Sequence, residues 1–428
     1  MTAFSRGTLI KKMNKYIYTG LLGLILILTS TFSFAKFTIT PGIDVREEYN
    51  DNIFLEDTDK EDDFITTLTP NIRLEYSPNS SLDLSLDYGF NFRYYSSHSD
   101  LSDDTQGSDV EMSASFKPFK RVFIDITDTY SRVPIDIRDK HASDNMLTNM
   151  TDSNSLSVST GVILPVTSAV STTVGYTYND LWFKDDASTD SETHSVFFVV
   201  TDKFSSKITG ALKYNYSAYR PDLTSRQQRD VLAYNRQNGS VAIEYLIASN
   251  LVVNGEVGES LTDYFRRDEP RTSFWNVGAD YEFISDTSIG IAYSSFLSDS
   301  STSGASETRR GDLFLKAGNI FKLTVNPYFI EDTFVHIERK DEIKGVNLDV
   351  SRPLGERATL LLNGLVEYQK FKPGGEEVGR YSLGCSLDYK LSSKITAVIG
   401  YRHNGRDSNQ ANEDFTNNIG WLQAGASF

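Results

Sequence analysis

The chain has 428 residues and a formal net charge of −16, from 42 basic and 58 acidic side chains. That balance argues against nucleic acid, which calls for basic patches, and the one cysteine, Cys385, excludes an internal disulfide or a thiolate metal site. Apolar residues are 39%, below the roughly 45–50% of a soluble globular chain, yet aromatics reach 12%, a mixture that suits a sheet with one greasy face and one wet face.

At the N-terminus, Lys11, Lys12 and Lys15 form a positive region and Gly20–Leu28 a short apolar core, and Ser33-Phe34-Ala35 then supplies the small residues a signal peptidase reads. Cleavage is expected after Ala35, leaving residues 36–428 as the mature domain. The apolar core is shorter than the roughly 20 residues of a membrane helix, and no later stretch approaches that length. Met13 is an alternative start that leaves a signal of ordinary length. Removing residues 1–35, with four positive side chains and no negative ones, leaves a mature charge of about −20.

The first strand is predicted almost at once, at Phe37–Tyr49. Ile72, Leu74 and Tyr76 then alternate with Arg73 and Glu75. The clearest segment is Ser81–Tyr95: Leu82, Leu84, Leu86, Tyr88, Phe90, Phe92 and Tyr94 alternate with Ser81, Asp83, Ser85, Asp87, Gly89, Asn91 and Arg93. Strand side chains point to opposite faces with period two, so one face is wholly apolar and the other wholly polar. The aromatics gather at one end, where a membrane-interface girdle would sit. The pattern returns at Trp275–Phe283, Val346–Val350, Tyr381–Tyr389 and Ile395–Tyr401. Weaker strands are predicted near Ser108–Phe116 and Gly239–Leu246.

Connections alternate in length. Tight turns are predicted at Ser77–Ser80, Pro118–Arg121, Pro165–Ser168, Asp202–Ser205, Ala248–Asn250, Ser285–Asp286, Gly318–Asn319, Pro353–Arg357 and Ser392–Ser393. Nine long polar stretches lie between them, among them Asn50–Asp62, Ser96–Gly107, Arg132–Asn154, Lys372–Val378 and Asn404–Glu413. Short turns on one rim and long loops on the other describe an outer-membrane barrel. Nine turns joining ten up-down pairs predict one all-β, transmembrane, antiparallel up-and-down barrel of about 20 strands (18–22), with periplasmic turns, extracellular loops and no plug domain. A soluble sandwich of this length would need linkers, and none is visible.

Charges on the lipid face are costly, so strand charges are expected to face the lumen. The predicted pore-lining set is Arg73, Glu75, Asp83, Asp87, Arg93, Asp125, Lys213, Glu244, Glu256, Asp280, Glu282, Asp349, Glu367, Asp388 and Arg402. Acids dominate it, so a wet lumen favouring cations is expected, the bland alternative being a salt-bridged filling that conducts nothing. The first long loop carries Asp51, Glu56, Asp57, Asp59, Glu61, Asp62 and Asp63. Their spacing does not match an EF-hand, and a solvated loop, bridging loosely to lipopolysaccharide through divalent cations, is the expectation. No cofactor, metal centre or catalytic set is predicted. His98, His141, His194, His336 and His403 form no metal-ligand pair, and His194 and Ser195, adjacent in a strand, would point to opposite faces. The last strand, Ile419–Phe428, places Leu422, Ala424, Ala426 and Phe428 on one face, and a terminal Phe there resembles the signal read by the barrel assembly machinery.

The stretch Pro41–Tyr76 resembles the opening of a porin-2-like family of outer-membrane β-barrel porins. The resemblance rests on Pro41, on Tyr49-Asn50-Asp51-Asn52-Ile53-Phe54, on Asp63-Phe64-Ile65 and on Pro70. It implies a neighbourhood of exopolysaccharide and exosortase genes, with polysaccharide and periplasmic export proteins as partners beside outer-membrane lipid and lipopolysaccharide. The leading expectation is a porin-like channel serving polysaccharide secretion or small-solute permeation. The alternatives are a non-conducting docking platform for an export apparatus and, behind it, a barrel hydrolase acting on lipid or glycan. An acidic lumen would repel an acidic polymer, so a neutral or cationic glycan or general small-solute permeation fits it better.

Overall fold

The computed structural model describes residues 36–135, 147, 149–185, 188–222, 233–264, 271–300, 304–318, 321–334 and 338–428. The expected signal segment, His141 and His336 lie outside the described residues. Twenty strands follow in order: β1 (Lys36–Asn50), β2 (Asp63–Asn79), β3 (Leu82–Tyr95), β4 (Gly107–Phe119), β5 (Val122–Pro134), β6 (Met150–Pro165), β7 (Val170–Phe183), β8 (Ser191–Lys203), β9 (Ile208–Pro221) and β10 (Tyr234–Ala248). The second half comprises β11 (Leu251–Tyr264), β12 (Arg271–Ile284), β13 (Thr287–Ser300), β14 (Gly304–Ala317), β15 (Lys322–Phe334), β16 (Lys340–Leu354), β17 (Ala358–Lys372), β18 (Glu376–Lys390), β19 (Ile395–Ser408) and β20 (Phe415–Ser427). One short helix, α1 (Leu101–Asp104), sits between β3 and β4.

Every strand pairs antiparallel with its neighbour in sequence, and β1 pairs with β20 from Gly42↔Ser427 to Asn50↔Ile419. The sheet is therefore closed, and no backbone edge faces lipid, where an unpaired amide costs several kcal/mol. Following paired residues once round the ring returns to β1 displaced by roughly 26 residues, which tilts the strands by about 45° and gives a backbone diameter of about 40 Å.

The outward face is apolar because it meets lipid. Val257, Val366, Ile291, Ile399 and Leu422 are each about 60% exposed. In water, a band of that size would drive association. Gly400 shows how the inner face is shaped: a Cβ there would lie 2.1 Å from the Trp421 indole, so the missing side chain lets the ring lie flat on β19.

The strands are longer than the chain's apolar pattern suggests. Lys372–Val378, read as a long loop, is reduced to residues 373–375 between β17 and β18, and β19 continues to Ser408 through Asn404–Glu413. Above the lipid both faces meet water, so a strand no longer needs an apolar face and its sequence looks like loop. The loop rim also has a tenth connection, between β11 and β12, which the nine predicted stretches miss because it covers only residues 265–270.

Candidate functional site

Strand parity divides the side chains into two sets. On β3, Leu84, Leu86 and Tyr88 face outward, and cross-strand pairing carries that division round the barrel. All fifteen predicted pore-lining residues fall on the inward face. Several are tied to partners. Arg73 Nε donates to Asp87 Oδ1 at 2.6 Å. Lys213 Nζ and Ser240 Oγ both donate to Glu256, at 2.8 and 2.6 Å. Glu367 accepts from Tyr328 at 2.8 Å and from Arg380 at 3.3 Å. Asp388 accepts from Ser386 at 3.3 Å. Arg402 lies 5.9 Å from the Trp421 ring centre. Arg93, like Arg402, lines a recess in the wall. Glu75, Asp83, Asp125, Glu244, Asp280, Glu282 and Asp349 occupy inward positions along β2, β3, β5, β10, β12 and β16.

Other inward charges escaped the sequence reading, among them Asp44, Arg46 and Glu48 on β1, Arg310 and Asp312 on β14, and Arg380 and Arg406. Extending the β1 alternation would have found the first three. Near the loop rim, charges occupy both parities: Arg309 faces outward and bonds Glu307, while its neighbour Arg310 faces inward and bonds Asp312. That blurs the pattern. By contrast β6 and β7 carry no inward charge among the described residues, and β8 carries only Lys203, at its turn end. Their inner faces present Ser155, Ser157, Ser159, Thr173, Thr177, Thr193 and Ser195, with Ser159 and Thr177 hydroxyls 3.1 Å apart. The lumen thus has one hydroxyl-lined wall and one charged wall.

The first loop, residues 51–62, folds inward at the mouth. Ile53 packs with the inward Ile65 and Tyr95, and Phe54, Leu101 and Leu147 close round them. Leu55 is 1% exposed and left-handed, at φ 55°, a strained state for a branched residue that its burial holds in place. The YNDNIF stretch explains itself here. Asn52 Nδ2 donates to Glu56 O at 2.7 Å and to Thr416 O at 3.0 Å. Asn417 Nδ2 donates to Asn50 Oδ1 at 2.9 Å and Asn52 O at 2.8 Å. Asp51 accepts from the Asn418 amide and side chain at 2.7 and 2.6 Å. These bonds clasp the loop to β20 across the seam where the barrel closes.

The acidic loop is partly committed. His98 Nδ1 lies 2.8 Å from Asp63 Oδ2, and its Nε2 lies 2.6 Å from Glu61 Oε2. Hydrogen bonds to Asp63 and then Glu61 raise the His98 pKa above its ordinary value of 6.5. A raised folded pKa adds stability below the unfolded value and loses it as pH climbs through the folded one. Protection of the Ile53–Leu55 amides, relative to their intrinsic exchange at each pH, is therefore expected to fall as pH rises above about 6.5, and His98→Gln to remove that fall. A pH profile unchanged by the substitution would refute the linkage. His194 faces outward, 2.6 Å from the Tyr176 hydroxyl, and Ser195 faces inward.

No protein-family model matches the chain, and no curated protein matches it by sequence. Solved structures do resemble it. A variant of the ferric enterobactin receptor PfeA from Pseudomonas aeruginosa aligns at 8% identity and TM-score 0.54, covering 91% of this chain and 80% of that one. The siderophore receptor PirA from the same organism aligns at 10% and 0.50, with the same coverage. The FrpB iron transporter from Neisseria meningitidis aligns at 8% and 0.51, covering 91% and 81%. At such identity the likeness shows an outer-membrane β-barrel fold and nothing about cargo.

Proposed function

We propose that this barrel is a porin-like outer-membrane channel, of the porin-2-like kind that Pro41–Tyr76 resembles. It passes small neutral or cationic solutes and, in a polysaccharide-export setting, a glycan. The observation that carries this reading is a closed ring of 20 strands with a hydrophilic inner face. Barrels of about 16–18 strands already leave an aqueous channel. Among the described residues nothing forms a domain across the lumen, and the inward loop packs against Ile65 and Tyr95 and bonds to β20. Export behind a signal peptide cleaved after Ala35 and insertion by the barrel assembly machinery reading Phe428 complete the proposal. The Phe428 amide donates to Pro41 O at 2.9 Å, which sets that residue beside the seam. Lipopolysaccharide surrounds the loop rim.

A planar bilayer holding the purified protein is expected to show discrete conductance steps and, in a salt gradient, a reversal potential of cation-selective sign. Carboxylate excess is the cause, so Asp83→Asn with Asp280→Asn and Asp349→Asn should move that potential toward zero. A membrane that stays silent with the folded barrel inserted would leave the docking-platform reading in its place.

A further inference from the structure

On the charged wall, where β19, β20, β1, β2 and β3 meet beneath the inward loop, lies a recess of about 560 Å³. Its size falls within the roughly 300–1,000 Å³ of small-molecule sites. Three arginines and two carboxylates, Asp44 and Glu48, line it, so positive charge is in excess by one; Asp44 accepts from Asn71 at 2.7 Å. Arg46 gives one nitrogen to Glu48 at 2.5 Å, but its Nε is buried with no hydrogen-bond partner among the described residues. Among the described residues Arg93 and Arg402 have no carboxylate partner. Other arginines on this wall find one: Arg73 holds Asp87, Arg380 holds Glu367, and Arg406 holds Glu376 at 2.7 Å. Guanidinium forks left open in a lumen rich in carboxylates are available to an anion from outside.

Trp421 positions two of the three. Its indole lies on Gly400, with the Arg46 guanidinium 4.7 Å and that of Arg402 5.9 Å from its centre. Thr67 pairs with both Arg46 and Arg93 across the sheet, so its hydroxyl stands between two cations. Gln423, level with Arg46, adds an amide. Ile53 and Leu147 line the apolar side of the recess.

We infer that this recess is a binding site for a carboxylate-bearing sugar, a uronate unit of an acidic oligosaccharide. The arginines take the carboxylate, the hydroxyl and amide groups take the sugar hydroxyls, and the volume is far larger than a lone phosphate fills. The site reverses the charge preference of the lumen around it, so recognition is local and does not follow from bulk selectivity. It goes beyond the channel reading, since binding is expected whether or not the barrel conducts.

The test is calorimetric titration of the full barrel in detergent with trigalacturonate, maltotriose and inorganic phosphate as probes. Trigalacturonate is expected to bind saturably, at least tenfold tighter than maltotriose, and phosphate at equal concentration to compete poorly. The pair Arg93→Gln and Arg402→Gln should weaken trigalacturonate at least tenfold, with folding checked by heat-modifiable gel mobility. Arg402→Lys serves if the pair does not fold, and should weaken binding through loss of the planar fork. Equal affinity for the two trisaccharides in the unaltered protein would overturn the proposal, as would undiminished binding by the variants. Full competition by phosphate would overturn the sugar assignment and leave a simple anion site. Conductance without uronate binding removes this inference and spares the channel; binding without conductance does the reverse.

Discussion

Asn417→Ala is expected to destabilise the barrel by about 1–3 kcal/mol. Asn417 is 0% exposed, and its amide serves both Asn50 Oδ1 and Asn52 O. Truncation removes both bonds in a place water does not reach, while Asn50 Oδ1 keeps the Asn52 amide at 2.9 Å and Asn52 O keeps a longer bond from the Leu55 amide at 3.3 Å, so the loss is that of two buried hydrogen bonds at about 0.5–1.5 kcal/mol each. The damage falls where β20 meets β1, the pairing with the greatest separation along the chain. It should appear as a lower temperature for loss of folded gel mobility, and as faster exchange at Asp51, whose amide donates to Asn418 O at 3.1 Å. Gln410→Ala, on the exposed β19–β20 connection, is the comparison. Identical melting of the two variants would mean that the asparagine clasp is not what secures the seam.

Neighbouring substitutions on β19 should differ sharply. Ile399 is 58% exposed and points to lipid. Arginine there is expected to cost about 2–4 kcal/mol near the bilayer midplane, enough to depress assembly into the membrane. Val398, one residue away, faces the lumen and pairs with Asp388. Arginine at that position meets water and a carboxylate and should cost less than about 1 kcal/mol. Folding yield into lipid vesicles, compared for Ile399→Arg and Val398→Arg, checks both. Equal yields would mean that the assignment of faces on β19 is wrong.

The same parity accounts for what could be read in advance. Ser81–Tyr95 announces β3 with its ends nearly right, because a strand with lipid on one side and water on the other must alternate at every position. Pro373 and its neighbours announce a long loop that does not exist, because above the lipid the constraint lapses and strand and loop share a composition. Arg309 and Arg310 show the same lapse in charge. Their adjacent positions face opposite ways, yet both find carboxylates because both meet water.

Strand number, up-and-down order and the inward face of Asp83, Asp280 and the rest were therefore fixed by local sequence, through a solvent boundary that each hairpin meets on its own. The clasp of Asn50 and Asn52 on Asn417 was not, nor was the recess that gathers Arg46, Arg93 and Arg402. Asn417 and Arg402 lie more than 300 positions from the groups they meet and become their neighbours only when β20 closes on β1. No periodicity encodes which polar residues meet across that seam, since closure and shear set the meeting, and both belong to the whole ring.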